Sequence, residues 1–309
     1  MQYLQLSQLW SSRLLQTFIG LKRIMRPRQW TKNAIIFAGL VFDGQLFVRD
    51  SFIRVGVSFV LLCLVASAIY IINDIVDIEK DRQHPIKRWR PLPSGQLSKS
   101  AAIVAAIVLP VFAIGSAFLY SRAFGLILIV YFLLHVLYSY RLKRIVLIDI
   151  MAITAGYVLR VAAGVIVIHV AAFSPWLYAC TGLLALFLAI SKRRQELILL
   201  GADKAGDIRQ TFKEYNLPLL DDMLRIVTTS TFIAYTLYTI EAPSDRLAGT
   251  NLALVTVPFV LYALFRYLYL IHVKGVGSAP DEVLLRDYPL LASIILWGIT
   301  FILIIYTPH

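Results

Sequence analysis

Nine apolar runs divide the chain: Ala34–Val48, Phe52–Ile72, Ala101–Tyr120, Phe124–Tyr138, Val146–Ala172, Trp176–Ile190, Ile226–Ile240, Leu252–Ile271 and Leu290–Tyr306. Several fall short of the roughly 20 residues a transmembrane helix needs, and flanking Trp and Tyr at the interfaces supply the remaining length. The first run, interrupted by Asp43, is the weakest. Charged residues make up 16% of the chain, where a soluble globular protein carries about 25%. These features predict an all-α integral membrane protein, a bundle of about nine transmembrane helices. Ahead of the first run, residues 1–32 form an amphipathic basic arm. Leu14, Leu15, Phe18, Leu21 and Ile24 recur at helical spacing beside Lys22, Arg23, Arg26 and Arg28, as in a helix lying on the cytoplasmic membrane surface. The early basic region and compact apolar core of a cleavable signal peptide are not evident. No linker or soluble domain is expected, so residues 1–309 read as a single transmembrane domain.

A net charge of +12 raises the question of nucleic acid, and the placement of the charge argues against it. Lys and Arg fall between the apolar runs, as cytoplasmic loops require. With the N-terminus inside, only Arg49, Arg54, Arg122 and Arg246 lie outside, and Arg160 and Arg225 fall within or at the edge of spans. The other basic residues are cytoplasmic, which predicts an N-in, C-out topology and an odd number of spans. Cys63 and Cys180 lie inside apolar runs and read as reduced packing residues.

At the exit of the second run stands the stretch NDIVDIEKDRQHPIKRWRPLPSG, Asn73 to Gly95. Asp74, Asp77 and Asp81 would share one face of a continued helix. Pro85, Pro91 and Pro93 break the basic segment that follows. A solvated helix end offsetting nearby cations is the plain reading of these acids. Clustered carboxylate oxygens beside an apolar slab also suit a hard divalent cation that holds phosphate. Mg²⁺ takes one or two carboxylates and fills its shell with water and substrate oxygens, so a diphosphate ligand is expected.

Three further groups carry chemistry. Asp149 and Arg160 lie about 16 Å apart along one helix and nearly on one face. Arg160 either neutralises a buried acid or reaches from a polar cavity to grip phosphate. In SKRRQEL, Ser191–Leu197, Lys192 and Glu196 stand at i, i+4, with Arg193 and Arg194 between them. The cations there are a positive-inside anchor or a site for a ligand with several phosphates. Tyr140 and Arg141 lie between the fourth and fifth runs, as interface anchors or as lining of the same cavity. Asp203 and Asp207 form a looser acid pair in a glycine-weakened loop. Of the five histidines only His84 is near the proposed site, and no Ser-His-Asp, P-loop or dinucleotide pattern occurs.

NDIVDIEKD followed by HPIKRWRPLPSG resembles the first aspartate-rich motif, and its continuation, of the UbiA family of intramembrane prenyltransferases. The resemblance extends across essentially the whole chain. It implies nine transmembrane helices around a cavity open to the cytosol, in the cell membrane, with Mg²⁺ held by Asp74, Asp77 and Asp81 and with Asn73 beside them. RPRQWTKN at Arg26–Asn33, DIMAITAGYVLRVAAG at Asp149–Gly164 and SKRRQEL are similar to the branch that moves a 5-phosphoribosyl group from phosphoribosyl diphosphate to a polyprenyl phosphate. The second aspartate-rich motif, usual in quinone and haem prenyltransferases, is replaced here by Lys192, Arg193, Arg194 and Glu196. The resemblance then makes Lys32, Lys87, Arg90, Arg141, Arg160 and Lys192 candidate phosphate clamps. The partners expected are phosphoribosyl diphosphate, a polyprenyl phosphate and the lipid bilayer, with no nucleic acid. The oligomeric state is open, a homo-oligomer included. The alternatives are a prenyltransferase alkylating an aromatic acceptor with a prenyl diphosphate, and a transporter, which would set its charges near the bilayer midplane.

Overall fold

The structure, a computed structural model, describes residues 15–168, 174–200, 210–241, 250–275, 283–284 and 286–307. Among them there is no strand. Asp203, Asp207, His169, His309 and the first fourteen residues of the basic arm lie outside the described residues. The chain divides into two compact units. One comprises Met1–Ile36 and Arg54–Tyr140, the other Phe37–Ile53 and Arg141–His309.

In the first unit a helical stretch over 15–24 leads into a 3-10 helix, Pro27–Phe37. The long helices are α2 (Arg49–Val76), which belongs to this unit from Arg54 on, α4 (Lys99–Tyr120) and α5 (Arg122–Tyr140), and the short α3 (Ile78–Gln83) follows α2. Among the described helices long and apolar enough to cross a membrane, α2 is the most deeply packed, with 61% of its most apolar stretch buried against 33% in α4 and 28% in α5. Ile24, Ile71, Leu92, Leu97 and Ala102 form a core that seals the N-terminal segment and the motif loop onto α2 and α4. Ser98 caps α4 by accepting the amide of Ala101 at 3.2 Å. At the α4–α5 turn a Cβ at Gly125 would stand 2.7 Å from the Phe118 ring, so a larger residue there would have to displace that ring.

The second unit contains α1 (Ala38–Phe42), α6 (Ile148–Val167), α7 (Pro175–Leu200), α8 (Leu217–Ile240), α9 (Val257–His272) and α10 (Tyr288–Tyr306). Phe187, Leu224, Leu264 and Tyr267 belong to one of its cores. Tyr235, Tyr238 and Phe301 belong to another, against which Phe42 and Trp297 pack. Asn216 and Asp287 cap α8 and α10 through the amides of Leu219 and Leu290, each with proline in the first turn.

Seven helices among the described residues are long and apolar enough to cross a membrane, and six of the expected runs lie wholly within them. The run at 146–172 starts ahead of α6, and its end lies outside the described residues. The run at 226–240 folds as the expected helix, α8, long enough to span at 24 residues but diluted by hydroxyls. Four of its threonines return those hydroxyls to backbone carbonyls of the preceding turn, including Thr228 to Leu224 and Thr231 to Val227 at 2.7 Å. The run at 34–48 is not one helix. It begins in the 3-10 segment, passes through α1 and ends in turns around Gly44, whose φ is +69°. Cys63 and Cys180 are buried and form no disulfide among the described residues.

Candidate active site

The site in the first unit begins with a register along α2. Cys63, Ser67, Tyr70 and Asp74 follow one another at spacings of four, three and four, one stripe of a helix. The N-terminal segment runs back along that stripe. Asn33 donates to the Cys63 sulfur at 3.2 Å, and Trp30 donates its indole N–H to the Ser67 hydroxyl at 3.1 Å. Arg26 lies 5.0 Å over the Tyr70 ring and donates to the Asp74 carboxylate. Arg26 itself has φ of +52°, a left-handed conformation uncommon for a side chain of its size, just before Pro27. Trp30→Phe, which removes one half-buried hydrogen bond, is expected to lower stability by about 1 kcal/mol. A loss above about 3 kcal/mol in detergent thermal unfolding would show that the indole does more than hold this strap.

Helix α2 does not run unbroken through the acidic motif. It ends at Val76, and Asp77 forms a turn that starts α3. The amide-to-carbonyl ladder nevertheless persists, from Asp77 to Asn73 at 3.0 Å and from Asp81 to Asp77 at 2.8 Å. Asp74 and Asp81 are both withdrawn from water, 1% and 3% exposed. One nitrogen of Arg90 reaches both, 3.2 Å from Asp74 and 2.6 Å from Asp81. Asn73 and Asp77 are half-buried beside them. His84 shapes the following turn: its Nδ1 accepts the amides of Ile86 at 3.1 Å and Lys87 at 3.2 Å.

A cationic nitrogen therefore sits where two buried carboxylates converge. No group of three His, Cys, Asp or Glu is gathered closely enough to enclose a metal among the described residues. Two carboxylates facing one cation fit Mg²⁺, which completes its shell with water and phosphate oxygens. They do not fit an ion caged by protein alone.

A second charged cluster lies in the other unit. Asp149 at the start of α6 is fully buried, and it accepts from Arg193 Nε at 2.9 Å and from the Tyr215 hydroxyl at 2.7 Å. Tyr215 in turn accepts the Leu147 amide at 2.8 Å. Burial, and the Asp149 carboxylate it bonds, push the ionisation of that phenol well up, so it stays a donor. Leu147 has φ of +65° and ψ of −45°, and Ile148 donates to the Val146 carbonyl across it at 2.8 Å, a γ-turn of the strained kind. Arg193 continues to Glu196 at 2.9 Å, and Lys192 approaches the other Glu196 oxygen at 3.9 Å.

The three cations of SKRRQEL thus part company. Arg193, 2% exposed, and Arg194, 9% exposed, are built into the protein. Arg194 binds Asp221 at 2.5 Å and His272 at 3.1 Å, tying α7 to α8 and α9. Lys192 keeps nearly half its side chain exposed. Of the three cations, Lys192 shares a face with Glu196 as the i, i+4 spacing predicts, and Arg193 lies behind it. Arg160 is buried, its guanidinium 4.9 Å over the Tyr157 ring. Lys32 and Lys87 are half-buried, and Tyr140 and Arg141 are exposed. Tyr215 and Asp221 carried no signal in the sequence. Arg26 stood in a quoted stretch without a role.

Residues 34–280 match the UbiA prenyltransferase family. The chain is similar to the decaprenyl-phosphate phosphoribosyltransferase of Corynebacterium glutamicum, 32% identical over 292 residues, covering 93% of this chain and 87% of that protein. The Mycobacterium tuberculosis protein of that name is 29% identical over 283 residues, covering 90% and 91%. Among solved structures, the fold is similar to a UbiA homolog from Archaeoglobus fulgidus bound to GPP and Mg²⁺, with a TM-score of 0.69 and 18% identity over 93% of this chain and all of that one.

Proposed function

The chain belongs to the UbiA prenyltransferase family, and we propose that within it the protein transfers 5-phosphoribosyl from phosphoribosyl diphosphate to a polyprenyl phosphate, releasing diphosphate. The observation that carries this reading is the likeness, over nine tenths of the chain, to transferases named for that reaction. The composition of the second charged cluster supports it. Lys192 and Glu196, braced by Arg193, suit a sugar phosphate better than the second metal of a prenyl diphosphate site.

Asp74, Asp77 and Asp81 would hold Mg²⁺, with Asn73 adjoining. Bound there, the ion would neutralise charge on the departing diphosphate. Arg90 and Arg26, now on the carboxylates, would turn to phosphate oxygens, and Lys32, Lys87, Arg141, Arg160 and Lys192 are the further clamps. Tyr140 lies beside Arg141. In the reaction the bond from ribose C1 to diphosphate breaks, its electron pair leaving with the diphosphate. A lipid phosphate oxygen forms the new bond from the opposite face, with inversion. That oxygen is already anionic, so no general base is needed, and fixed cations in a water-poor site stabilise the developing charge. The whole chain would work as one domain in the cell membrane, with about nine spans around a cavity facing the cytoplasm.

The test combines purified protein, Mg²⁺, polyprenyl phosphate and radiolabelled phosphoribosyl diphosphate, followed by organic extraction. Label is expected in the lipid phase and lost with EDTA. Turnover of a prenyl diphosphate with an aromatic acceptor instead would establish the other family chemistry. Lys192→Ala is expected to raise the apparent KM for phosphoribosyl diphosphate about tenfold, the effect of losing roughly 1.4 kcal/mol of charge-assisted binding. An unchanged KM would leave Lys192 as a positive-inside anchor.

A further inference from the structure

The turn between α3 and α4 has a surface that the transfer reaction does not use. Residues Lys87–Trp89 form one turn of 3-10 helix, preceded by Ile86. In that geometry side chains three apart eclipse one another, which puts Ile86 and Trp89 on the same side. Both stand out into the surroundings, 76% and 64% exposed, in a polar loop rather than on a spanning helix. Arg88 lies 5.1 Å over the Trp89 ring.

The charge around this apolar pair is one-sided. Arg90 is taken up by Asp74 and Asp81, and Arg82 by Glu79 at 2.8 Å. Lys80, Lys87 and Arg88 have no carboxylate partner among the described residues. The turn needs no outside help to form. His84 Nδ1 holds two of its amides, and the His84 carbonyl accepts from Arg88 at 3.2 Å. Its amide ladder ends on Arg90, which donates to the Lys87 carbonyl at 3.0 Å.

We propose that this turn seats on the anionic headgroup surface of the bilayer, with Ile86 and Trp89 dipping below the phosphates and Lys80 and Arg88 among them. A rigid tryptophan with basic neighbours is the side-chain set that favours this depth. Charge complementarity selects anionic lipid over a neutral surface. Seating the turn also fixes Arg90, one residue on, relative to the membrane from which a lipid substrate would come. The lipid contact itself stands whichever lipid the enzyme modifies.

The experiment uses the full chain in nanodiscs of phosphatidylcholine, with and without phosphatidylglycerol. The difference in emission between native protein and Trp89→Phe isolates Trp89 from the other four tryptophans. That difference should be blue-shifted and at least twofold more quenched by lipids brominated near the headgroup in anionic discs than in neutral ones. Ile86→Ser should lower this quenching without touching the fluorophore, and Lys80→Ser with Arg88→Ser should erase the preference for anionic lipid. A Trp89 that emits as in water and is equally open to iodide in both discs overturns the proposal. So does shielding that appears only when two copies share a disc, which would assign the turn to a protein interface.

Discussion

Replacing Asp74 with asparagine is expected to reduce transfer to below about one hundredth of the native rate while the fold survives. Asparagine keeps the shape of the side chain and removes the charge that would hold Mg²⁺, a loss on the order of the 10²–10³ seen when one preorganised electrostatic partner of a transition state is deleted. The structural cost is smaller than for a sealed ion pair. The partners Arg26 and Arg90 are 27% and 28% exposed, and Arg90 retains Asp81. Stability should therefore fall by about 1–2 kcal/mol, below the 3–5 typical of a broken buried pair. Initial rates and thermal unfolding in detergent, measured on the same preparation, separate the two effects. A rate within tenfold of native would remove Asp74 from the metal site. Asp77→Asn should behave similarly in rate, with less effect on stability because Asp77 is only half-buried.

Asp149→Asn should show the opposite balance. Asp149 is completely buried, and its partner Arg193 is 2% exposed, so the substitution leaves a buried guanidinium without the carboxylate that meets it at 2.9 Å. The expected loss is about 3–5 kcal/mol. Tyr215→Phe removes a hydroxyl that both donates to Asp149 and accepts from Leu147, and about 1–3 kcal/mol should go with it. The unfolding midpoint in detergent should fall in that order, Asp149→Asn below Tyr215→Phe below native. If Asp149→Asn unfolds within about 1 kcal/mol of native, the acid is not the buried partner of Arg193. Because Arg193 also holds Glu196, the enzyme that remains folded should bind phosphoribosyl diphosphate more weakly with little change in kcat.

Much of the architecture was legible because the pattern that encodes it is local. The run at 52–72, apolar but for Arg54 and two serines, is too long for an ordinary strand and reads as a buried or lipid-facing helix, and α2 contains it. Where side chains met their own backbone, the residue code and the physics diverged. The threonines of α8 score as polar, yet their hydroxyls are satisfied within the helix, so it is more apolar than its composition. At 34–48 the opposite holds. Trp30 and Asn33 dock the preceding segment onto α2, and the chain turns around Gly44 instead of extending a helix.

The acidic motif was visible as a cluster in the sequence because its members lie within nine positions. The second cluster was not, because its pairs are distant: Arg193 meets Asp149 44 residues away, and Tyr215 meets it across 66. Spacing placed Lys192 beside Glu196 correctly. It could not say that Arg193 faces inward, since three consecutive residues on a helix face three directions and only the packed neighbours decide which is the interior.

The γ-turn at Leu147 makes one unit of two loops far apart in the chain. A bulky residue at positive φ holds its conformation only while its surroundings enforce it, and the enforcing contact here is the Tyr215 hydroxyl on the Leu147 amide. If the segment around Tyr215 lifts, the turn has nothing to resist relaxation, and Asp149 loses a donor in the same event. The stretches 141–148 and 210–216 should thus open and close as a single cooperative element. Arg141 lies at the start of the first of them, so its mobility should follow that of the cluster.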